Sequence, residues 1–113
     1  AERVAAASGG KAVSLAGQLT LKGLAAMIRH ARFLVCNDTG PMHIAAALGV
    51  PVLAIFGPTS PLRTGPYGQI HTVVREDLDC SPCYRRKLCN DWRCMEAVTV
   101  DRVLASSLDS GWI

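Results

Sequence analysis

Apolar positions change their spacing several times along the chain, and each change marks an element. Leu21, Leu24, Ile28 and Ala31 recur at helical intervals, with Thr20 placed to cap the start. Phe33 to Cys36 is a short unbroken apolar run, the pattern of a strand buried inside a parallel sheet. Pro41 to Leu48 predicts an apolar helix with Pro in its first turn and Gly49 to end it. Pro51 to Phe56 is the next strand, and a Pro- and Gly-rich loop runs from Gly57 to Gly68. Glu2 to Ala7 reads as the tail of a helix stopped by Gly9 and Gly10, while Val13 to Leu15 and His71 to Val74 are short strand candidates. A cysteine-rich loop covers Asp79 to Met95. Thr99 to Leu108 predicts a last helix with Val100, Val103, Leu104 and Leu108 on one face.

Strand and helix alternating through tight connections predict an α/β fold: a Rossmann-like parallel sheet with flanking helices and right-handed crossovers. Three or four strands leave such a sheet with a raw edge, which is a liability. The simplest expectation is sequence missing upstream. The chain also starts without Met and without a basic-plus-apolar signal segment, so it is expected to open mid-protein or after processing.

Composition narrows the class. Half of the 113 residues are apolar, and Leu, Ile, Val and Phe make up 29, enough for a core and too many for a disordered tail. Alanine reaches 15 while aromatics are scarce, which suits helices packed closely on a sheet. No Asp, Glu, Lys or Arg occurs between Thr39 and Leu62, but Gly40, Pro41, Gly49, Pro51, Gly57 and Pro58 break that run. It falls short of the ~20 apolar residues of a spanning helix, and a soluble chain is expected. The formal net charge of +3 is concentrated in Arg85, Arg86, Lys87 and Arg93 against Asp91. That distribution is not the footprint of a nucleic-acid binder.

The richest chemistry lies in Cys36-Asn37-Asp38-Thr39-Gly40-Pro41-Met42-His43, which joins a predicted strand to a predicted helix. In open α/β sheets ligands bind at that end of the strands, and a helix N-terminus offers free amides and a positive dipole end to phosphate. Gly40 lets an anion approach the backbone, and the Thr39 hydroxyl adds a donor. Asp38 would repel a diphosphate, so its natural partners are sugar hydroxyls or a cation. The plainer alternative is that Asp38 or Thr39 only caps the helix, and that His43, on its first turn, is structural.

Asp38 to Gly49, followed by Pro51 and by Phe56-Gly57-Pro58-Thr59, resembles the signature of glycosyltransferase family 9, the bacterial heptosyltransferases of lipopolysaccharide core assembly. Arg63 to Gly68, Cys80-Ser81-Pro82-Cys83 and Cys94-Met95 continue the likeness, as do Leu15-Ala16-Gly17 and Leu21 to Ala31 upstream. The resemblance covers nearly the whole chain. It implies a GT-B enzyme of two Rossmann-like domains, of which residues 1–113 match part of the C-terminal, nucleotide-sugar-binding one. Within it, 1–78 would be the core, 79–98 the cysteine-rich basic loop and 99–113 the last helix.

By position, the resemblance implies that Thr39 and Gly40 hold phosphate, Asp38 the sugar, and that His43 lines the same site. Glu2 matches a glutamate that reaches the nucleoside, and Leu19 an apolar position that packs on the base, with a plain core or loop role as its alternative. Ser60 departs from the Asp that many members carry. The family's catalytic carboxylate and acceptor surface lie in the N-terminal domain, so no catalytic residue is assigned here and the chain alone is expected not to turn over. The implied donor is ADP-heptose and the implied acceptor the lipopolysaccharide core. No cofactor is expected, and the implied location is cytoplasmic, with contact at the inner face of the inner membrane.

Cys80, Cys83, Cys89 and Cys94, spaced C-x2-C-x5-C-x4-C, leave zinc, disulfides and reduced thiols open. Cys36 reads as a buried strand residue. The basic residues, interleaved with Tyr84 and Trp92, suit anionic lipid, phosphorylated sugars or simply solvent. Two rival functions follow: another GT-B-type sugar-nucleotide enzyme such as an epimerase, or a non-catalytic zinc-stabilised binding module around Asp79 to Met95.

Overall fold

Val52–Ile55 carries four apolar residues in a row because it is the central strand, with a neighbour on each side. In the computed structural model, which describes residues 1–84 and 89–113, it forms β2 between β1 (Leu34–Asn37) and β3 (Thr72–Val74). Both pairings are parallel, running from Leu34 beside Val52 to Asn37 beside Ile55, and from Leu53 beside Thr72 to Ile55 beside Val74. One side of the sheet is covered by α2 (Leu21–Arg29) and α3 (Gly40–Ala47), which enclose a core of Ile28, Met42, Ala45, Val52, Ala54 and Phe56. Phe56, Met42 and Val52 are fully buried, each worth about 1.5–3 kcal/mol relative to exposure.

Local chemistry sets the ends of these elements. The Thr20 hydroxyl accepts from the Gly23 N–H at 3.2 Å and caps α2 as its position predicts. Pro41 sits in the first turn of α3. Gly49, at φ 71°, turns the chain out of the helix, which a residue with a side chain resists. The N–H of Val52 donates to Nδ1 of His71 at 3.2 Å, and Nε2 of that ring lies 3.0 Å from the Tyr67 carbonyl oxygen. The two bonds together require a neutral ring with its proton on Nε2.

Four expectations need correction. Val13 to Leu15 is not a strand. Val13 is exposed, no strand of the sheet pairs with this stretch, and the Gln18 N–H turns back onto the Leu15 carbonyl. β1 is not buried on both faces: it is an edge strand that alternates half-buried and exposed residues, with Val35 exposed and Cys36 half-buried. The Gly57–Gly68 loop contains a helical turn, α4 (Pro61–Thr64), and the cysteine-rich loop contains another, α5 (Arg93–Glu96).

The last correction concerns α6 (Val100–Asp109), which forms with Thr99 capping it from its hydroxyl at 3.2 Å. Of the predicted apolar face, Val100, Leu104 and Leu108 are exposed and only Val103 turns inward. The helix lies on β3 through small side chains: Ser107 is buried, and the hydroxyls of Ser110 and Thr72 are 2.9 Å apart. Helical periodicity identifies a stripe, but serine allows a closer approach to the sheet than the leucines would. Arg102 then ties the helix to the end of β3, pairing with Glu76 and donating to the Arg75 carbonyl at 2.9 Å. Phe33 and Trp112 stack with ring centroids 5.4 Å apart. Upstream, α1 (Glu2–Ala7) forms as its composition predicts and has no buried residue.

Candidate donor site

Because the strands are parallel, β1 and β2 end on the same side of the sheet, and a cavity of about 280 Å³ opens there. Asn37, Asp38 and Thr39 line it from the end of β1, and Ile55, Gly57, Pro58 and Thr59 from the end of β2. Trp92 and Met95 complete it from the cysteine-rich segment.

Thr39 occupies the N-cap position of α3 but makes no side-chain cap bond; its hydroxyl donates instead to the Asn37 carbonyl at 3.2 Å. Pro41 has no N–H and the Met42 N–H donates to the Thr39 carbonyl at 3.2 Å, so in the first turn of α3 the Gly40 N–H and the positive end of the helix dipole are what this end offers an anion. Nothing lies within 4 Å of the point where a Cβ on Gly40 would sit, so glycine is not required there by packing inside the chain. The open space is what an anion approaching the backbone needs. Asp38 is half-buried and accepts a hydrogen bond from the Thr64 hydroxyl at 3.2 Å, a hydroxyl that also lies 3.3 Å from the Ser60 carbonyl. α4 therefore orients the carboxylate. Ser60 itself is the N-cap of α4 without a side-chain cap bond. Behind the turn, burial pushes the Cys36 thiol above its ordinary pKa; the Thr39 hydroxyl opposes the shift and the Asp38 charge adds to it.

The third wall is held from outside the sheet. The N–H groups of Cys83 and Tyr84 both donate to the Pro58 carbonyl, at 3.0 and 2.8 Å, and the Ser81 hydroxyl donates to the Gly57 carbonyl at 2.5 Å. A Cβ on Gly57 would stand 2.9 Å from Cγ of Met95 and 3.1 Å from Sγ of Cys94, so glycine lets this segment press against the β2 loop. Trp92 adopts left-handed backbone angles, φ 48° and ψ 28°, and its carbonyl accepts from the Met95 and Glu96 amides at 2.8 and 3.1 Å. For a bulky aromatic that conformation costs of order 1–3 kcal/mol. Beside it, Arg93 donates to Asp91 at 2.7 Å, and this hydrogen bond holds the Asp91 carboxyl below the usual carboxylate range.

The structure brings Asp38 and Thr39 together on the cavity, with Gly40 directly after them at the start of α3. His43 is exposed on the first turn of α3 and is not among the lining residues. Glu2 is exposed on α1, and Leu19 lines a separate hollow with Leu15, Thr20 and Leu24. Trp92 and Met95 were missed because the sequence shows a cysteine-rich basic loop and not the packing of Met95 against Gly57 at the end of β2. Thr64 was legible only as part of the Arg63 to Gly68 likeness.

All five cysteines are free thiols; Cys80 is exposed and Cys94 buried. Cys80, Cys83 and Cys89 line a second hollow with Asp91 and Arg93. Among the described residues, no three His, Cys, Asp or Glu side chains are grouped so as to hold a metal ion. Arg85, Arg86 and Lys87, the heart of the basic cluster, lie outside the described residues. No described helix is long and apolar enough to cross a membrane.

The sequence profile of glycosyltransferase family 9 (heptosyltransferase) matches residues 1–92. The chain belongs to glycosyltransferase family 9. Among relatives of this family 9 chain, lipopolysaccharide heptosyltransferase 1 of Pseudomonas aeruginosa is 45% identical over 69 residues, 61% of this chain and 19% of the relative. Lipooligosaccharide heptosyltransferase 2 of Campylobacter jejuni is 34% identical over 97 residues, 83% of this chain and 30% of the relative. The solved structure of the ADP-heptose lipopolysaccharide heptosyltransferase II of E. coli superposes with a TM-score of 0.70 at 30% identity, over 85% of this chain and 26% of that one. The glycosyltransferase family 9 structure from Veillonella parvula gives 0.71 at 26% identity, over 96% and 33%. The family 9 chain thus spans between a fifth and a third of the length of these relatives, and its Rossmann-like parallel sheet is the fold it shares with them.

Proposed function

We propose that this chain forms part of the donor-binding half of a heptosyltransferase and binds ADP-heptose at the ends of β1 and β2. The observation that carries the reading is the Asp38-Thr39-Gly40 turn, open to the cavity at the head of α3, in a chain that belongs to family 9. The Gly40 amide and the dipole end of α3 receive the diphosphate, joined by the Thr39 hydroxyl as it turns from the Asn37 carbonyl. Asp38, oriented by Thr64, accepts from sugar hydroxyls. His43 borders the site from the exposed face of α3, and Glu2 and Leu19 serve the nucleoside from the upstream elements.

In the complete enzyme a general base deprotonates a hydroxyl of the lipopolysaccharide core, and the resulting oxygen nucleophile attacks the anomeric carbon. The bond to the nucleoside diphosphate breaks as the new glycosidic bond forms. The part played here is to hold the leaving diphosphate, whose growing charge the helix-end amides stabilise. The base and the acceptor surface belong to the rest of the enzyme, so this chain alone has no turnover. Such an enzyme works in the cytoplasm at the inner face of the inner membrane, where a basic cluster around Arg85 to Lys87 suits anionic surfaces.

Titration calorimetry of ADP-heptose, ADP, UDP-glucose and UDP into the purified chain tests the reading, with Asp38→Ala alongside. Tighter binding of ADP-heptose than of the uridine compounds, lost in Asp38→Ala, is the expected result. Preference for UDP-glucose refutes the donor assignment. No binding to a folded chain refutes this site as a sufficient donor cradle.

A further inference from the structure

We propose that Trp92 is a sugar-recognising residue, the aromatic platform on which the donor's sugar ring lies. The inference rests on the donor-site reading above and deepens it. The lining of the cavity is of two kinds: Asn37, Asp38 and Thr59 are polar, whereas Ile55, Pro58, Trp92 and Met95 are apolar. A pyranose is divided in the same way, with hydroxyls around its rim and C–H groups across its face. The rim suits Asp38, whose carboxylate accepts from hydroxyls, and the face suits an indole. A diphosphate is repelled by that carboxylate, whereas sugar hydroxyls donate to it. At about 280 Å³ the cavity lies just below the range usual for drug-sized ligands, room for one ring and not for a complete nucleotide sugar.

Trp92 is also held in place at a cost. Its backbone is left-handed, and the Asp91–Arg93 pair brackets it in sequence. The residues that follow it, Cys94 and Met95, pack against Gly57, which belongs to the same cavity. The indole keeps part of its surface exposed, so a face remains for a ligand.

Fluorescence tests this directly, because the chain has two tryptophans and the other, Trp112, stacks on Phe33. In a Trp112→Phe background, Trp92 emission should change on saturation with ADP-heptose and stay unchanged on saturation with ADP, saturation being set by calorimetry. Trp92→Ala should weaken ADP-heptose binding about tenfold and alter ADP binding less than about twofold, and Trp92→Phe should recover most of the loss. Equal loss for ADP-heptose and ADP, or loss for neither, overturns the proposal, as does an emission change with ADP alone. If Trp92→Ala does not fold, the Trp92→Phe affinities and the Trp92 emission decide between the same outcomes. A parent chain that binds neither ADP nor ADP-heptose sinks the donor-site reading and this proposal with it. A parent that binds both with equal affinity leaves the phosphate cradle standing and overturns only the role of Trp92.

Discussion

Replacing Gly65 by Ala should unfold the chain more easily, although nothing in the backbone angles forbids it. Gly65 has φ −66° and ψ 165°, extended geometry open to any residue. On that ground alone Ala would stabilise by about 0.4–1 kcal/mol, through the unfolded chain. Space decides otherwise. A Cβ at this position would collide with the Pro61 carbonyl oxygen and stand 3.2 Å from the carbonyl carbon, and both atoms belong to the backbone. The turn of α4 must open, which costs about 1–3 kcal/mol in overpacking and about 0.5–1.5 for the Gly65–Pro61 hydrogen bond, now 2.8 Å long. The balance is a loss of about 2 kcal/mol, or a melting temperature lower by roughly 8 °C. Donor affinity should fall as well, since Thr64 on this turn orients Asp38. Gly40→Ala is the matched comparison: its Cβ meets nothing, so the melting temperature should hold while nucleotide binding weakens. Circular dichroism melts and calorimetry on the two variants measure both quantities. A Gly65→Ala chain that melts at or above the parent temperature would falsify the steric argument. Unchanged ADP affinity in Gly40→Ala would remove phosphate from the head of α3.

Other substitutions probe single bonds. His71→Ala leaves the Val52 N–H without its acceptor beside the central strand and should cost about 1–3 kcal/mol in urea unfolding, against no change if solvent replaces the ring. Thr64→Val removes the donor to Asp38; stability should drop by only about 0.5–1.5 kcal/mol while ADP-heptose affinity falls several-fold, and unchanged affinity would dissociate Thr64 from the site. Burial raises the Cys94 thiol above its ordinary pKa, with negative charge on Cys83, Cys89 and Cys80 adding to the shift. Its contribution to stability is therefore complete below the unfolded thiol value and is lost as pH rises through the folded one. Urea midpoints at pH 8 and pH 10 should differ more in the parent than in Cys94→Ser. Labelling at pH 8 should modify exposed Cys80 well before Cys94, and a reversed order would contradict the burial.

The legible parts of this fold were those governed by neighbours in the chain. Thr20 and Thr99 cap helices because a hydroxyl reaches an amide three residues on, and Pro41 with Gly49 brackets α3 for equally local reasons. Whatever depended on a distant partner was harder to read. Val13 to Leu15 has the residues of a strand but no ladder to join, and β1 looks buried until its outer edge is seen to lack a neighbour. The stripe of α6 was visible, but the sheet chose the serine side. In the same way Asp38, Thr39 and Gly40 were legible as a strand-to-helix turn, whereas Trp92 joins the cavity where Met95 and Cys94 pack on distant Gly57, a contact that no spacing encodes.

The order of the sheet has a consequence for synthesis. Each strand pairs with the one made just before it, β2 on β1 and β3 on β2. A chain leaving the ribosome at about 5–20 residues per second can add each strand to an existing template, with no need to wait for a late segment to insert. The second face of the sheet has no such advantage. Val74 and the Thr72 hydroxyl are covered by α6, which is made after all three strands. Until α6 is made, this face of the nascent sheet stays open to solvent.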